Sequence, residues 1–144
     1  MHKVQRSVLV PHTRAQMFDL VADVGSYPEF MPWCGGTKVH RHDEHGMEAT
    51  ITISIAGIKQ NFTTRNEHDY PSLITFHLVD GPFSTLTGTW QFQELSEEAC
   101  KVVYTMEYAF SSRTLEAVVG PIFNRIATSF IDSFTQRALA VYGD

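Results

Sequence analysis

Between Thr37 and Phe110 the chain alternates apolar and polar residues through six successive segments. Thr37, Val39 and Arg41 lead in. Met47, Ala49, Ile51, Ile53 and Ile55 then share one parity against Glu48, Thr50, Thr52 and Ser54. The pattern recurs in Ile58, Gln60, Phe62 and Thr64, in Ile74, Phe76 and Leu78, in Leu86, Gly88, Trp90 and Phe92, and in Val102, Tyr104, Met106, Tyr108 and Phe110. A sustained period of two marks half-buried strands. Turn sequences at 43–46, 56–57, 70–72, 80–82 and 96–98 separate them. Strands joined by turns this short form an antiparallel meander with one apolar and one polar face.

The flanks read differently. Val4, Val8 and Val10 put one more strand over 3–10, and Pro11 ends it. Thr13 and Gln16 have the spacing of a capping box, followed by the helical stripe Met17, Phe18, Val21, Ala22. Ser26 and Glu29 repeat the cap spacing with Pro28 in the first turn, which predicts a second short helix over YPEFM, 27–31. Pro28 and Pro32 exclude an ordinary amphipathic helix or central strand there, yet the run holds Tyr27, Phe30, Met31 and Trp33. Past Ser112, Leu115, Val118, Val119, Ile122, Ile126 and Phe130 recur at three and four, widened by Phe123, Ala127, Phe134 and Ala138. Gly120-Pro121 predicts a kink, or a break with a new helix starting at Pro121. From Pro121 to Tyr142 a helix is about 33 Å long at ~1.5 Å per residue, and Gly143 closes it. The expected class is α+β: a curved antiparallel sheet of about seven strands around a long C-terminal helix, with two short helices after the first strand. A curved sheet and a helix do not mate along their whole length, so the space left between them is the expected binding site, with the short helices at its mouth.

At 144 residues, with no repeat or linker, the expectation is one domain over 1–144. A net charge of −5 supplies no basic field for DNA. Cys34 and Cys100 make no disulfide framework, and neither a secretory leader nor a membrane span is readable. A cytoplasmic setting is expected, with any membrane business done peripherally, at the inner membrane.

Few residues suggest chemistry. His40, His42, Asp43 and His45 approach a metal-ligand spacing but sit at the polar tip of a hairpin, so no metal is expected. Glu48, Glu67 and Glu107 fall on polar strand faces, and Asp23 is placed to cap a helix. Cys34 has no evident base, Ser84, Ser111 and Ser112 lack a nucleophile elbow, and no phosphate loop is present. No catalytic set and no cofactor motif emerges. What stands out is apolar surface facing one space: Phe30, Trp33, Ile53, Phe62, Phe76, Leu78, Trp90, Tyr104, Met106, Ile122, Phe123 and Ile126, with Thr64 among them, are the candidate ligand-binding residues. Each of these would equally serve as plain core.

Three stretches, DVGSYPEFMPWC (23–34), GPFSTLTGTWQF (81–92) and FTQRALAVYG (134–143), in this order resemble the helix-grip fold of START lipid-transfer domains, birch-pollen-type allergens and aromatic polyketide cyclases. The chain is most similar to the polyketide cyclase/dehydrase branch that holds mitochondrial coenzyme-Q-binding proteins and bacterial ribosome-association toxins. The resemblance implies a carrier for a hydrophobic small molecule, foremost a polyprenyl quinone, in support of respiration. Gln60, Thr64 and Tyr104 would face its carbonyls, and Phe30, Met31 and Trp33 would form a lip making transient contact with a membrane surface. It also implies two alternatives, a toxin that binds a ribosomal subunit and blocks association, and a polyketide cyclase or dehydratase. The acidic charge counts against rRNA binding, and no inward acid or base is placed for the cyclase.

Overall fold

The computed structural model describes residues 1–143. In chain order the elements are β1 (His2–Val10), α1 (Arg14–Ala22), a 3-10 helix (Val24–Glu29), β2 (Cys34–Asp43), β3 (Gly46–Ile55), β4 (Ile58–Asp69), β5 (Leu73–Asp80), β6 (Phe83–Ser96), β7 (Ala99–Phe110) and α2 (Arg113–Tyr142). The seven strands form one antiparallel sheet in the order β1-β7-β6-β5-β4-β3-β2. β2 to β7 are the meander read from the alternation. β1 closes the far side, pairing His2 with Tyr108 and Val10 with Cys100. The chain must therefore cross from one sheet edge to the other between β1 and β2, and α1 and the 3-10 helix make that crossing. Register shifts in β2, β5 and β6 mark bulges, which bend strands and increase their twist.

α1 begins as its sequence demands. Thr13 Oγ1 accepts the Gln16 N–H at 3.1 Å while Gln16 Oε1 accepts the Thr13 N–H at 2.9 Å, and Met17, Phe18, Leu20 and Val21 are buried. The next turn departs from the expected frame. It is a 3-10 helix starting at Val24, and the Ser26 hydroxyl reaches back to Asp23 Oδ2 at 2.6 Å instead of capping residues ahead of it. Burial decides this frame: Val24 and Tyr27 both face inward, and the Tyr27 hydroxyl donates to the Val21 carbonyl.

α2 also departs from expectation. It runs unbroken through Gly120-Pro121 for 30 residues, about 45 Å. Ala117 and Pro121 are exposed, so the carbonyl left without its partner by the proline faces water. The buried stripe is Val119, Phe123, Ile126, Ala127, Ile131, Phe134 and Ala138, whereas Val118 is 55% exposed and belongs to the outer face. Gly143 ends the helix at φ 79°, its N–H bonded to the Leu139 carbonyl.

One glycine shapes the interior. On β6 Gly88 lies opposite Phe76 of β5, and a Cβ there would stand 2.4 Å from Phe76 Cζ. Only hydrogen fits, which lets the Phe76 ring lie across the sheet.

Candidate functional site

A cavity of about 70 Å³ lies between the sheet and α2. Its origin is visible in the strand register. Ala49 of β3 and Thr64 of β4 are direct cross-strand partners on the inward face, and neither reaches far toward the helix. Ile51, Phe62, Asn66, Ile74, Phe76, Leu86, Trp90 and Met106 complete the sheet wall; Phe123, Phe130 and Phe134 of α2 face them; Val21, Val24 and Tyr27 close the end nearest the crossing segment. The hollow is largely apolar. Its polar feature is Thr64, which donates to Asn66 Oδ1 at 3.0 Å. Tyr27 spends its hydroxyl on the Val21 carbonyl, and burial holds that phenol protonated. The hollow is less than half the ~150 Å³ of an apolar cavity that admits benzene. An aromatic head group enters only if the wall moves.

The sequence-derived residues divide into three sets. Phe62, Thr64, Phe76, Trp90, Met106 and Phe123 line the hollow. Ile53 and Tyr104 are fully buried behind it, and Leu78 and Ile122 are half-buried against the core. Tyr104 stacks on Trp90 at 4.4 Å and points its hydroxyl to Met106 Sδ at 3.6 Å, away from the role of ligand donor. Gln60 is likewise absent from the wall. Phe30, Trp33 and Ile126 line a separate surface groove of about 510 Å³ with Arg125 and Arg137.

The membrane lip requires correction. Met31 is 1% and Trp33 5% exposed, so neither presents an apolar tip outward. Trp33 instead packs on Phe130, and its indole N–H finds no partner among the described residues. Phe30 lies edge-on to Tyr27 and Phe134 and carries the Arg137 guanidinium 4.9 Å above its ring. The two prolines serve inward packing.

The wall also contains residues that were not among the candidates: Val21, Val24, Tyr27, Ala49, Ile51, Asn66, Ile74, Leu86, Phe130 and Phe134. Asn66 was legible, two positions beyond Thr64 on the same parity. Ala49 was legible too, had small inward residues been read as marks of space.

Outside the hollow lies a larger cleft of about 680 Å³, bordered by α1, the start of the 3-10 helix, the β2–β3 turn and the end of β4. The histidine-rich segment 40–45 contributes here, but not as one cluster. His40 bonds Thr50 Oγ1 at 2.8 Å, Asp43 receives the His45 and Gly46 N–H groups and pairs with Arg41 at 2.6 Å, and His42 lies edge-on to His68. Burial depresses the His68 pKa, with His42 adding to the effect. The carboxylates weighed for acid–base work lie elsewhere: Glu48 pairs with Arg65 at 3.0 Å and Glu107 with Lys3 at 3.7 Å, and Glu67 is exposed. No helix of the described residues is long and apolar enough to cross a membrane.

Comparison with known proteins agrees with this architecture. The profile of the family described as polyketide cyclase / dehydrase and lipid transport matches residues 10–135. The chain is 46% identical to the ribosome association toxin RatA of Vibrio cholerae, over 144 residues and the whole of both chains. It is 25% identical to the mitochondrial coenzyme Q-binding protein coq10 of Schizosaccharomyces pombe, over 92% of this chain and 84% of that one. The solution structure of an 18 kDa protein of Caulobacter crescentus superposes with a TM-score of 0.74 at 31% identity, covering all of both chains. The chain therefore belongs to the polyketide cyclase/dehydrase and lipid transport family, among relatives that include RatA toxins and a coenzyme Q-binding protein.

Proposed function

We propose that this chain binds a hydrophobic small molecule of the polyprenyl quinone class between its sheet and α2, and acts as its carrier. The observation that carries the reading is the hollow itself. An apolar space with one hydrogen-bonded polar pair, Thr64 and Asn66, sits where a fully packed core would have none. Each methylene removed from water contributes roughly 0.8 kcal/mol, so a single isoprene unit supplies up to about 4 kcal/mol, and micromolar binding needs about 8 kcal/mol net. Two or three units offset the ordering of ligand and wall, and they enter only as the wall opens beyond its resting volume of about 70 Å³. The coenzyme Q-binding relative supports the choice of ligand class. The test is organic extraction of the freshly purified protein followed by mass spectrometry. A co-purifying isoprenoid quinone at substantial occupancy is expected. An empty extract, together with no uptake of added quinone, would overturn the reading.

A second reading, association with a ribosomal subunit, is favoured by the 46% identity to RatA over the entire chain. With a net charge of −5 such contact would fall on basic ribosomal proteins more readily than on rRNA. Cosedimentation with separated subunits in a sucrose gradient tests it; migration at the top of the gradient at low salt would exclude it.

A further inference from the structure

Three observations, resting on the ligand-binding reading above, concern where the polar end of a ligand sits and how the apolar end gets in. The space is unevenly divided. The hollow holds about 70 Å³ and the outer cleft about 680 Å³, and sites for drug-sized ligands run from about 300 to 1,000 Å³. A ring-bearing head group has room outside and none inside.

The two spaces also share one sheet surface. On β4, Thr64 and Asn66 line the hollow, and His68, next on the same parity, lines the cleft; on β3, Ala49 lines the hollow and Met47 the cleft. Among the described residues only Val24 belongs to both walls, and it is 3% exposed. It stands on a light element, the start of the 3-10 helix, next to Gly25, where an added Cβ would come no nearer than 4.0 Å to Asp23 Oδ1.

The chemistry of the cleft is one-sided. Asp19, Asp23, Asp43 and Glu44 line it, Asp43 paired with Arg41 at 2.6 Å behind the wall, and among the described residues no lysine or arginine joins the lining, so an anionic head meets a net negative surface. Within the same lining His68 Nε2 is buried with no hydrogen-bond partner among the described residues. A buried polar atom without a partner is uncommon, and a ligand oxygen would satisfy it.

We infer that the cleft is the head-group subsite, that it takes an uncharged head with a carbonyl or hydroxyl oxygen bonded to His68, and that Val24 is the gate past which the apolar tail enters the hollow. Carboxylate- and phosphate-headed amphiphiles are disfavoured by the net negative lining. Anchoring on β4 places the head at the outer end of the polar file His68, Asn66, Thr64.

The chain has two tryptophans, so Trp33→Phe leaves Trp90, on the wall of the hollow, as the sole reporter. Its fluorescence is followed while a decyl-substituted benzoquinone is added by stopped flow. Val24→Ala should speed association at least fivefold and Val24→Phe slow it by a similar factor, with circular dichroism confirming the fold. His68→Phe should weaken affinity about tenfold and His68→Gln, which keeps an N–H donor, less than threefold. Dodecanol should displace the quinone at a tenth or less of the concentration required of dodecanoate. Quenching that persists with rates indifferent to residue 24, affinity indifferent to His68→Phe, or dodecanoate competing as well as dodecanol would overturn the subsite and leave the carrier reading standing. No quenching in the parent protein would overturn both.

Discussion

Two cross-strand pairs on the inward face of the same sheet behave in opposite ways. Phe83 of β6 and Phe110 of β7 face each other at a ring separation of 5.1 Å. Phe123 of α2 closes on Phe83 and on Tyr108, each at 4.8 Å, so rings from two strands and the helix meet directly. Ala49 and Thr64 are paired just as directly, yet beside them the sheet and helix stay apart and a third element, the crossing segment, must close the gap with Val24 and Tyr27. The sheet bends and twists past both pairs. What differs is side-chain reach, so interior room here follows from residue size on the inward parity more than from curvature.

Phe83→Ala breaks the packed end and should have the largest effect. Phe83 is 5% exposed and touches four aromatic rings. Truncation should remove about 3–5 kcal/mol of stability in urea unfolding, as large-to-small aromatic changes in cores do. Quinone binding at Trp90 should survive at temperatures where the variant stays folded. A loss under 1 kcal/mol would mean that this end is looser than its ring distances imply.

Ala49→Leu asks the converse question. Filling the hollow should hold or raise stability, by at most about 1.7 kcal/mol for about 70 Å³ at ~24 cal/mol per Å³. Quenching of Trp90 by added quinone should disappear. Destabilisation beyond about 2 kcal/mol would show that the space does not accept the added methyls and that overpacking prevails. Tyr108→Phe is a smaller probe of the packed end. Its hydroxyl donates to Asn124 Oδ1 at 2.9 Å, and the loss should cost about 1 kcal/mol, since exposed Asn124 regains water. Burial pushes the phenol to about 12, so this cost should stay constant from pH 6 to 9.

Much of this contrast could be read without coordinates, and the reasons are local. Strand alternation needs no tertiary information, so the meander and the inward parity of Phe62, Thr64, Phe76, Trp90 and Met106 follow from it, but which inward positions border the hollow does not: Ile53, Leu78 and Tyr104 share that parity and lie off the wall. Helical faces are harder. Ile126 and Phe130 lie one turn apart on the same apolar stripe, yet Phe130 reaches the hollow and Ile126 the outer groove, because a broad stripe does not say which edge meets which strand. Pro121 read as an interruption because propensity is local, and it was overridden by a helix whose next turns are buried on the sheet. The frame at Val24 was hidden for a related reason. Cap spacing at Ser26 and Glu29 competed with the burial of Val24 and Tyr27, and burial won.

The smallest expected effect separates the two ends by pH. His68 is half-buried at the cleft, edge-on to Phe18 and His42, and its pKa is lowered first by burial, then by His42 and Arg41, with Asp43 opposing. A lowered histidine pKa means the unfolded chain binds more protons than the folded one between the two values. Stability therefore rises with pH through that window and falls as the solution is acidified below the ordinary value of about 6.5. Asp43 works in a different window. Its carboxyl is held low by Arg41, so its contribution is kept above the usual carboxylate range and lost only below about pH 4. Melting temperatures between pH 7.5 and 5 should decline modestly in the parent, and the decline should be shallower in His68→Gln and unaltered in Tyr108→Phe. Equal slopes in parent and His68→Gln would show that His68 takes up its proton without penalty. The cleft would then be wetter than its geometry implies, and the polar end of the site as open to water as the packed end is closed.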